Sequence, residues 1–314
     1  MEFNKLKKLL VVVLAITMTI VPFAACGSPA AEAPAVESPA ESTVVADATM
    51  SYFSNLPATN NMIIAEDLFA KIDASEEIFI LDVRSADDYA LGHLKGAVNL
   101  PFASTAIAEN LEFIPDDVPV FVNCYTGQTA SQVTVVLNVA GKNVTNIRGG
   151  WLLGIAATDG YENYADTEAV AMPTATYDTD PELAAAVTDY FATVASYNGT
   201  PTSNQNISSE AVKEIIDSES DEYQILSVRK AEDFALEHVA TAMNIPWGSG
   251  METSFAELPS DKKIIVYCYT GHTASQTVAG LRLLGYEAYN MAFGMGSVET
   301  EKGWLGTGYE TVTE

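Results

Sequence analysis

Cys124-Tyr125-Thr126-Gly127-Gln128-Thr129-Ala130-Ser131-Gln132 recurs as Cys268-Tyr269-Thr270-Gly271-His272-Thr273-Ala274-Ser275-Gln276, with eight of nine positions the same and an offset of 144 residues. Outward from this pair the repetition continues. Leu81-Asp82-Val83-Arg84 matches Leu226-Ser227-Val228-Arg229, His93 matches His238, and Asn99 and Pro101 match Asn244 and Pro246, here at an offset of 145. Further back, Tyr52-Phe53 and Tyr190-Phe191 sit in similar helical stretches, each followed by a polar loop and an amphipathic segment, Ala65 to Ile72 and Ser209 to Ile216. Copies this long are self-sufficient units rather than solenoid repeats. The units are placed at 44–168 and 176–314.

Within each unit the pattern alternates. Ile78 to Leu81 and Tyr223 to Leu226 are short apolar runs of the kind that form buried parallel strands. Val120 to Val122 and Ile264 to Val266 run directly into the two cysteines. Helix-period stretches follow, Ala130 to Val139 and Ala274 to Leu284, closed by Gly141 and Gly285, and then further strands, Val144 to Ile147 and Ala288 to Met291. Strand–helix alternation of this kind gives an α/β fold with a mainly parallel sheet, whose ligand sites lie at the carboxyl ends of the strands. Both cysteines fall there.

A strand that ends in Cys, turns through a loop with Gly at its fourth position and enters a helix brings successive N–H groups around the sulfur. The helix N-terminus adds partial positive charge, with Thr129 and Thr273 expected near the cap. A sulfur so placed is expected to be held as thiolate, the form that attacks sulfur donors. A buried cysteine can also be no more than a small apolar side chain; recurrence of the whole loop favours chemistry.

Composition narrows the options. The 314 residues carry a formal net charge of −27, which excludes a nucleic-acid binder that relies on a basic face. Three histidines without clustered cysteines or carboxylates at ligand spacing give no metal site. Lys5, Lys7 and Lys8 precede an apolar run from Leu9 to Ala25, the layout of a secretory signal peptide over residues 1–25. Phe23-Ala24-Ala25-Cys26 resembles a bacterial lipobox, with Phe where that pattern favours Leu. The resemblance implies cleavage before Cys26, lipid on its sulfur, and an extracytoplasmic protein anchored to a bacterial membrane. Residues 26–43, rich in Ala, Pro, Glu and Ser, read as a flexible tether.

The combined motifs resemble the rhodanese family. Leu81-Asp82-Val83-Arg84, Asp88-Tyr89 and Gly92 to Pro101 look like its first hallmark, and the Cys124 and Cys268 loops look like its active-site loop. The resemblance implies a tandem of two domains, each a mainly parallel five-stranded sheet flanked by helices. It implies sulfur transfer through cysteine persulfides on Cys124 and Cys268, with no metal or organic cofactor. Tyr125, Thr126, Gly127, Gln128 and Thr129, with Tyr269, Thr270, Gly271, His272 and Thr273, would form the substrate-binding loops. Asp82, Arg84 and Arg229 would be structural.

Departures from the pattern carry information. The family's thiosulfate users place Arg or Lys in the loop; neither loop here has a cation, so a persulfide, polysulfide or protein thiol fits better than thiosulfate or 3-mercaptopyruvate. The missing Arg also argues against phosphatase chemistry. The second unit has Ser227 in place of Asp and Glu237 in place of Gly. His272, replacing Gln128, is either exposed and solvated or able to assist proton transfer and lower the Cys268 pKa. Tyr125 and Tyr269 wall the pocket or pack, His93 and His238 serve turns, and Trp151 and Trp304 pack. The partners implied are a small sulfur donor or thiol acceptor. Two other readings stand beside the enzyme: a non-catalytic lipoprotein that binds or senses persulfide or redox state, and a thiol-redox partner using a Cys124–Cys268 disulfide.

Overall fold

Val120–Asn123 and Lys263–Tyr267, the strands that deliver the cysteines, are each the central strand of a five-stranded parallel sheet. The computed structural model describes residues 42–314. The signal segment, Cys26 and all but the last two residues of the tether lie outside the described residues. Ser42, at the tether's end, caps the first helix through its hydroxyl.

The first repeat runs α1 (Thr43–Ser54), β1 (Met62–Ile63), α2 (Ala65–Asp73), β2 (Phe79–Asp82), α3 (Ala86–Leu91), β3 (His93–Leu94), β4 (Val98–Asn99), α4 (Ala106–Glu109), β5 (Val120–Asn123), α5 (Gln128–Val139), β6 (Val144–Ile147) and β7 (Ala165–Asp166). The second runs α6 (Pro181–Ser196), β8 (Asn206–Ile207), α7 (Ser209–Asp217), β9 (Tyr223–Ser227), α8 (Ala231–Leu236), β10 (Met243–Asn244), β11 (Lys263–Tyr267), α9 (His272–Leu283), β12 (Ala288–Met291) and α10 (Gly303–Gly306). The sheets share one strand order, β1-β6-β5-β2-β4 and β8-β12-β11-β9-β10, and β3 pairs antiparallel with β7. In register, Leu81 faces Val122 and Leu226 faces Val266. The mainly parallel sheets expected from the alternation are parallel throughout.

Alternation along each strand divides the core between the two faces of the sheet. Leu81, Val83, Val120 and Val122 point to the face covered by α5, while Ile80, Phe121 and Ile147 point to the face covered by α2. The second repeat does the same with Leu226, Ile264 and Val266 on one face and Ile225, Ile265 and Tyr267 on the other. Both faces are covered, which is why the strands read as continuous apolar runs.

The leading helices are exchanged. Phe53 of α1 is fully buried in the second repeat's cluster, edge-on to Trp247 and Phe255. Phe191 of α6 is buried in the first repeat's cluster, edge-on to Phe102. Gly280 of α9 makes room for Phe53, since a Cβ there would stand 2.2 Å from its ring. Truncating either Phe to Ala would be expected to cost about 3–5 kcal/mol. The neighbouring tyrosines cross as well. The Tyr52 hydroxyl donates to Gln276 at 2.6 Å, and that of Tyr190 lies 2.9 Å from Oε1 of Gln132. Each helix therefore closes the other repeat, and α5 and α9 abut between them, with Ala279 of α9 lying in the first repeat's cluster.

Candidate active site

Each cysteine ends its central strand and lies at the start of the next helix. Gly127 and Gly271 are the N-caps of α5 and α9, with φ of +84° and +89°, a backbone region open to glycine at little cost. No side chain caps either helix. Thr129 and Thr273 lie near the cap as expected, in the first turn two residues after the glycines, since the helices begin at Gln128 and His272, two residues before the apolar stretches read from the sequence. The N–H of each capping glycine reaches the sulfur: Gly127 N donates to Cys124 Sγ and Gly271 N to Cys268 Sγ, each at 3.1 Å.

Both thiols are free and 2% exposed. Cys124 shares its cluster with Val83, Leu100, Phe102 and Ala130, and Cys268 with Val228, Ile245, Met251 and Ala274. The segments after β6 and β12 pin the loops from outside. Trp151 N and Leu152 N donate to the carbonyls of Cys124 and Tyr125, and Met295 N and Gly296 N to those of Cys268 and Tyr269. Gly150 and Gly294 permit this approach, for a Cβ on either would stand 2.4 Å from the cysteine carbonyl oxygen.

The loop tyrosines are about two-fifths exposed, and their hydroxyls are tethered to helix starts. Tyr125 donates to Asp88 and accepts from Ser85 N; Tyr269 donates to Asp233 and accepts from Lys230 N. Hydrogen bonds from Ser85 and then Tyr125 hold the Asp88 carboxyl below the usual range.

Arg84 is buried and grips Asp82, with Nη2 to Oδ2 at 2.6 Å and Nε to both oxygens, and it donates to the Gly92 carbonyl. Its guanidinium lies over the Trp151 ring. Arg229 has Ser227 in place of the aspartate; it donates to the Glu237 carbonyl at 2.7 Å and stands 3.8 Å from the Glu237 carboxylate. His93 and His238 are buried, each stacked on a ring of the preceding helix, Tyr89 or Phe234, and bonded to its carbonyl.

His272 corrects an expectation. It is neither solvated nor turned to Cys268: it is 8% exposed and crosses to the first repeat, where Nε2 accepts from Gly149 N at 3.2 Å. Nδ1 lies 2.9 Å from Thr270 Oγ1. Burial, then the neighbouring Arg148 charge, lowers its pKa to about 4, against a smaller opposing contact with the Thr126 backbone. Gln128 makes the reverse crossing. Its Oε1 accepts from Asn290 Nδ2 at 2.9 Å and Phe293 N at 3.0 Å, while its Nε2 donates to Thr126 Oγ1. The reason is packing: α5 and α9 meet at their N-terminal ends, so the residue after each loop glycine points across the junction.

A cleft of about 440 Å³ opens at this junction, with Thr126, Thr270, His272, Arg148, Phe293 and Lys302 among its walls. Arg148, Asn290 and Phe293 were missed by motif reading. The signal was present, since Asn146-Ile147-Arg148-Gly149-Gly150 and Asn290-Met291-Ala292-Phe293-Gly294 share their first and last residues at the loop offset. Among the described residues no group of His, Cys, Asp and Glu is placed to hold a metal ion.

The family described as "Rhodanese-like domain" matches residues 65–154 and 208–301, more than half of the chain, leaving α1 and α6 outside both matches. The putative sulfurtransferase YtwF of Bacillus subtilis is 29% identical over 82 residues, which is 26% of this chain and 78% of that one. Among solved structures, a rhodanese-related protein of Thermoplasma volcanium is 27% identical, with a TM-score of 0.30, over 35% of this chain and 98% of its own. The 3-mercaptopyruvate sulfotransferase SseA of Escherichia coli is 18% identical, with a TM-score of 0.34, over 73% of this chain and 97% of its own.

Proposed function

We propose, for a chain that belongs to the rhodanese-like family, that Cys124 and Cys268 carry sulfane sulfur between an uncharged or weakly charged persulfide or polysulfide donor and a thiol acceptor. The observation that carries this reading is the pair of free cysteines, each at an uncapped helix N-terminus with a loop N–H 3.1 Å from its sulfur. In the first step the cysteine thiolate attacks the sulfane sulfur of the donor. A new S–S bond forms, the donor's S–S bond breaks, and its electron pair leaves on the donor thiolate. In the second step the acceptor thiolate attacks the outer sulfur of the cysteine persulfide and returns the cysteine as thiolate. The loop N–H groups stabilise negative charge on sulfur at both stages. Apolar walls around both sulfurs, and loops without a cation, favour such a donor over thiosulfate.

The test is sulfur transfer by the full-length protein with glutathione persulfide, polysulfide and thiosulfate, beside Cys124→Ser, Cys268→Ser and the double variant. Expected are faster turnover with the first two donors and stepwise loss with the cysteines. Turnover that survives the double variant, or that no donor supports, would overturn it. A second reading, a persulfide carrier or sensor without turnover, is favoured by the burial of both thiols; it predicts stable persulfides and no turnover.

The lipobox-like Phe23-Ala24-Ala25-Cys26 supports an extracytoplasmic, lipid-anchored setting. No helix among the described residues is long and apolar enough to cross a membrane. Incorporation of labelled fatty acid, lost in Cys26→Ser, is the expected outcome; label retained in that variant would contradict it.

A further inference from the structure

We propose that each cysteine loop is completed by the other repeat: His272 positions the loop of Cys124, and Gln128 positions the loop of Cys268. This rests on the sulfur-transfer reading only in naming the loops as reactive, and its test reads thiol reactivity directly.

The two crossings have the same construction. One end of each key is held by its own loop, where Gln128 Nε2 bonds Thr126 Oγ1 and His272 Nδ1 bonds Thr270 Oγ1. The other end accepts a backbone N–H from equivalent positions of the opposite repeat, Phe293 N for Gln128 and Gly149 N for His272. Each key also lies against the glycine whose N–H reaches the opposite sulfur. A Cβ on Gly127 would stand 2.4 Å from His272 Nε2, and one on Gly271 would stand 2.4 Å from Gln128 Oε1. Those same glycines donate to Cys124 and Cys268. His272 and Gln128 are both buried, so a lost key leaves an unpaired backbone N–H and a void beside the glycine.

Both are positioning residues, since neither bonds a sulfur. They also differ chemically: Gln128 does not titrate, whereas His272 does. Protonation turns Nε2 from acceptor into donor, opposite the Gly149 N–H and beside Arg148, with Lys302 and Glu66 the other charged groups lining the cleft. The loop of Cys124 therefore carries an acid sensitivity that originates in the other repeat.

The experiment measures the rate of reaction with dipyridyl disulfide, a thiol probe usable in acid. It uses full-length protein, with Cys124 followed in the Cys268→Ser background and Cys268 in the Cys124→Ser background. His272→Ala is expected to slow Cys124 about tenfold more than Cys268, and Gln128→Ala to slow Cys268 about tenfold more than Cys124. His272→Gln, which supplies the key used by the other loop, is expected to restore Cys124. Losses that fall equally on both cysteines, or mainly on the cysteine of the mutated loop, would overturn the proposal. As pH falls from about 5 through about 4, the Cys124 to Cys268 rate ratio should drop in the parent loops and stay flat with His272→Gln. This arm does not depend on the alanine variants folding, and a ratio that is flat in the parent contradicts the proposal.

Discussion

The loops of Cys124 and Cys268 differ at one residue in nine, yet the structures supporting them have diverged. Under the first loop, Asp82 and Arg84 form a buried two-oxygen fork whose spare donor reaches the Gly92 carbonyl. Under the second, Ser227 has replaced the aspartate and Glu237 has replaced the glycine. Arg229 now leans on the Glu237 carbonyl and faces its half-exposed carboxylate, while Nε has no partner among the described residues. The carboxylate moved from the strand end to the helix end. The comparison teaches that the loop constrains sequence through its own backbone geometry, whereas the arginine beneath it needs only some nearby acceptor.

That contrast is sharpened most by removing the arginines. Arg84→Ala strands a buried carboxylate and is expected to cost about 3–5 kcal/mol. Arg229→Ala leaves a neutral serine and a hydratable glutamate, at about 1–2 kcal/mol. Denaturant unfolding of the two variants would measure the gap; equal losses would break the comparison.

The two keys give the next effect. His272 has its pKa lowered from 6.5 to about 4. Between these values the unfolded chain binds the proton that the folded chain refuses. This contribution to stability is therefore present above about pH 6.5, falls away as pH drops towards 4, and changes no further below that. The loss amounts to at most about 3 kcal/mol. His272→Gln, which makes the second key like the first, should remove that component from the stability–pH curve; a curve identical to the parent's would show that folding leaves the His272 pKa at its ordinary value.

The smallest effect separates the exchanged helices. Burial pushes the phenols of both Tyr52 and Tyr190 well above their usual range. Tyr190→Phe leaves the buried amide oxygens of Gln132 and Gln205 facing apolar ring, at about 1–2 kcal/mol. Tyr52→Phe, where the phenol and its donor Asn61 are only half-buried although its acceptor Gln276 is fully buried, is expected to cost about 0.5–1 kcal/mol. Unfolding midpoints of the two variants would rank them.

Much of this arrangement was legible in the residues. β6 and β12 fall where the apolar runs place them, β5 runs one residue past Val122 and β11 one residue past each end of Ile264 to Val266, because buried parallel strands leave a continuous apolar signature. The exchange of α1 and α6 was not legible. Tyr52-Phe53 and Tyr190-Phe191 are near copies, so their pattern fits either repeat equally, and only the shape of the pocket decides; Gly280, opposite Phe53, has Val136 as its counterpart in the first repeat. The crossing of Gln128 and His272 was hidden for a related reason. A polar residue at a helix start reads as solvated, and its burial arises only when the two helix starts meet.

Mass spectrometry of the full-length protein after exposure to polysulfide, followed by addition of a thiol acceptor, tests the central claim most directly. The account predicts one added sulfur atom on each of the peptides containing Cys124 and Cys268, and its loss to the acceptor within the time of turnover. Peptides that take up no sulfur, or sulfur that stays on them while the acceptor is consumed elsewhere, would contradict it.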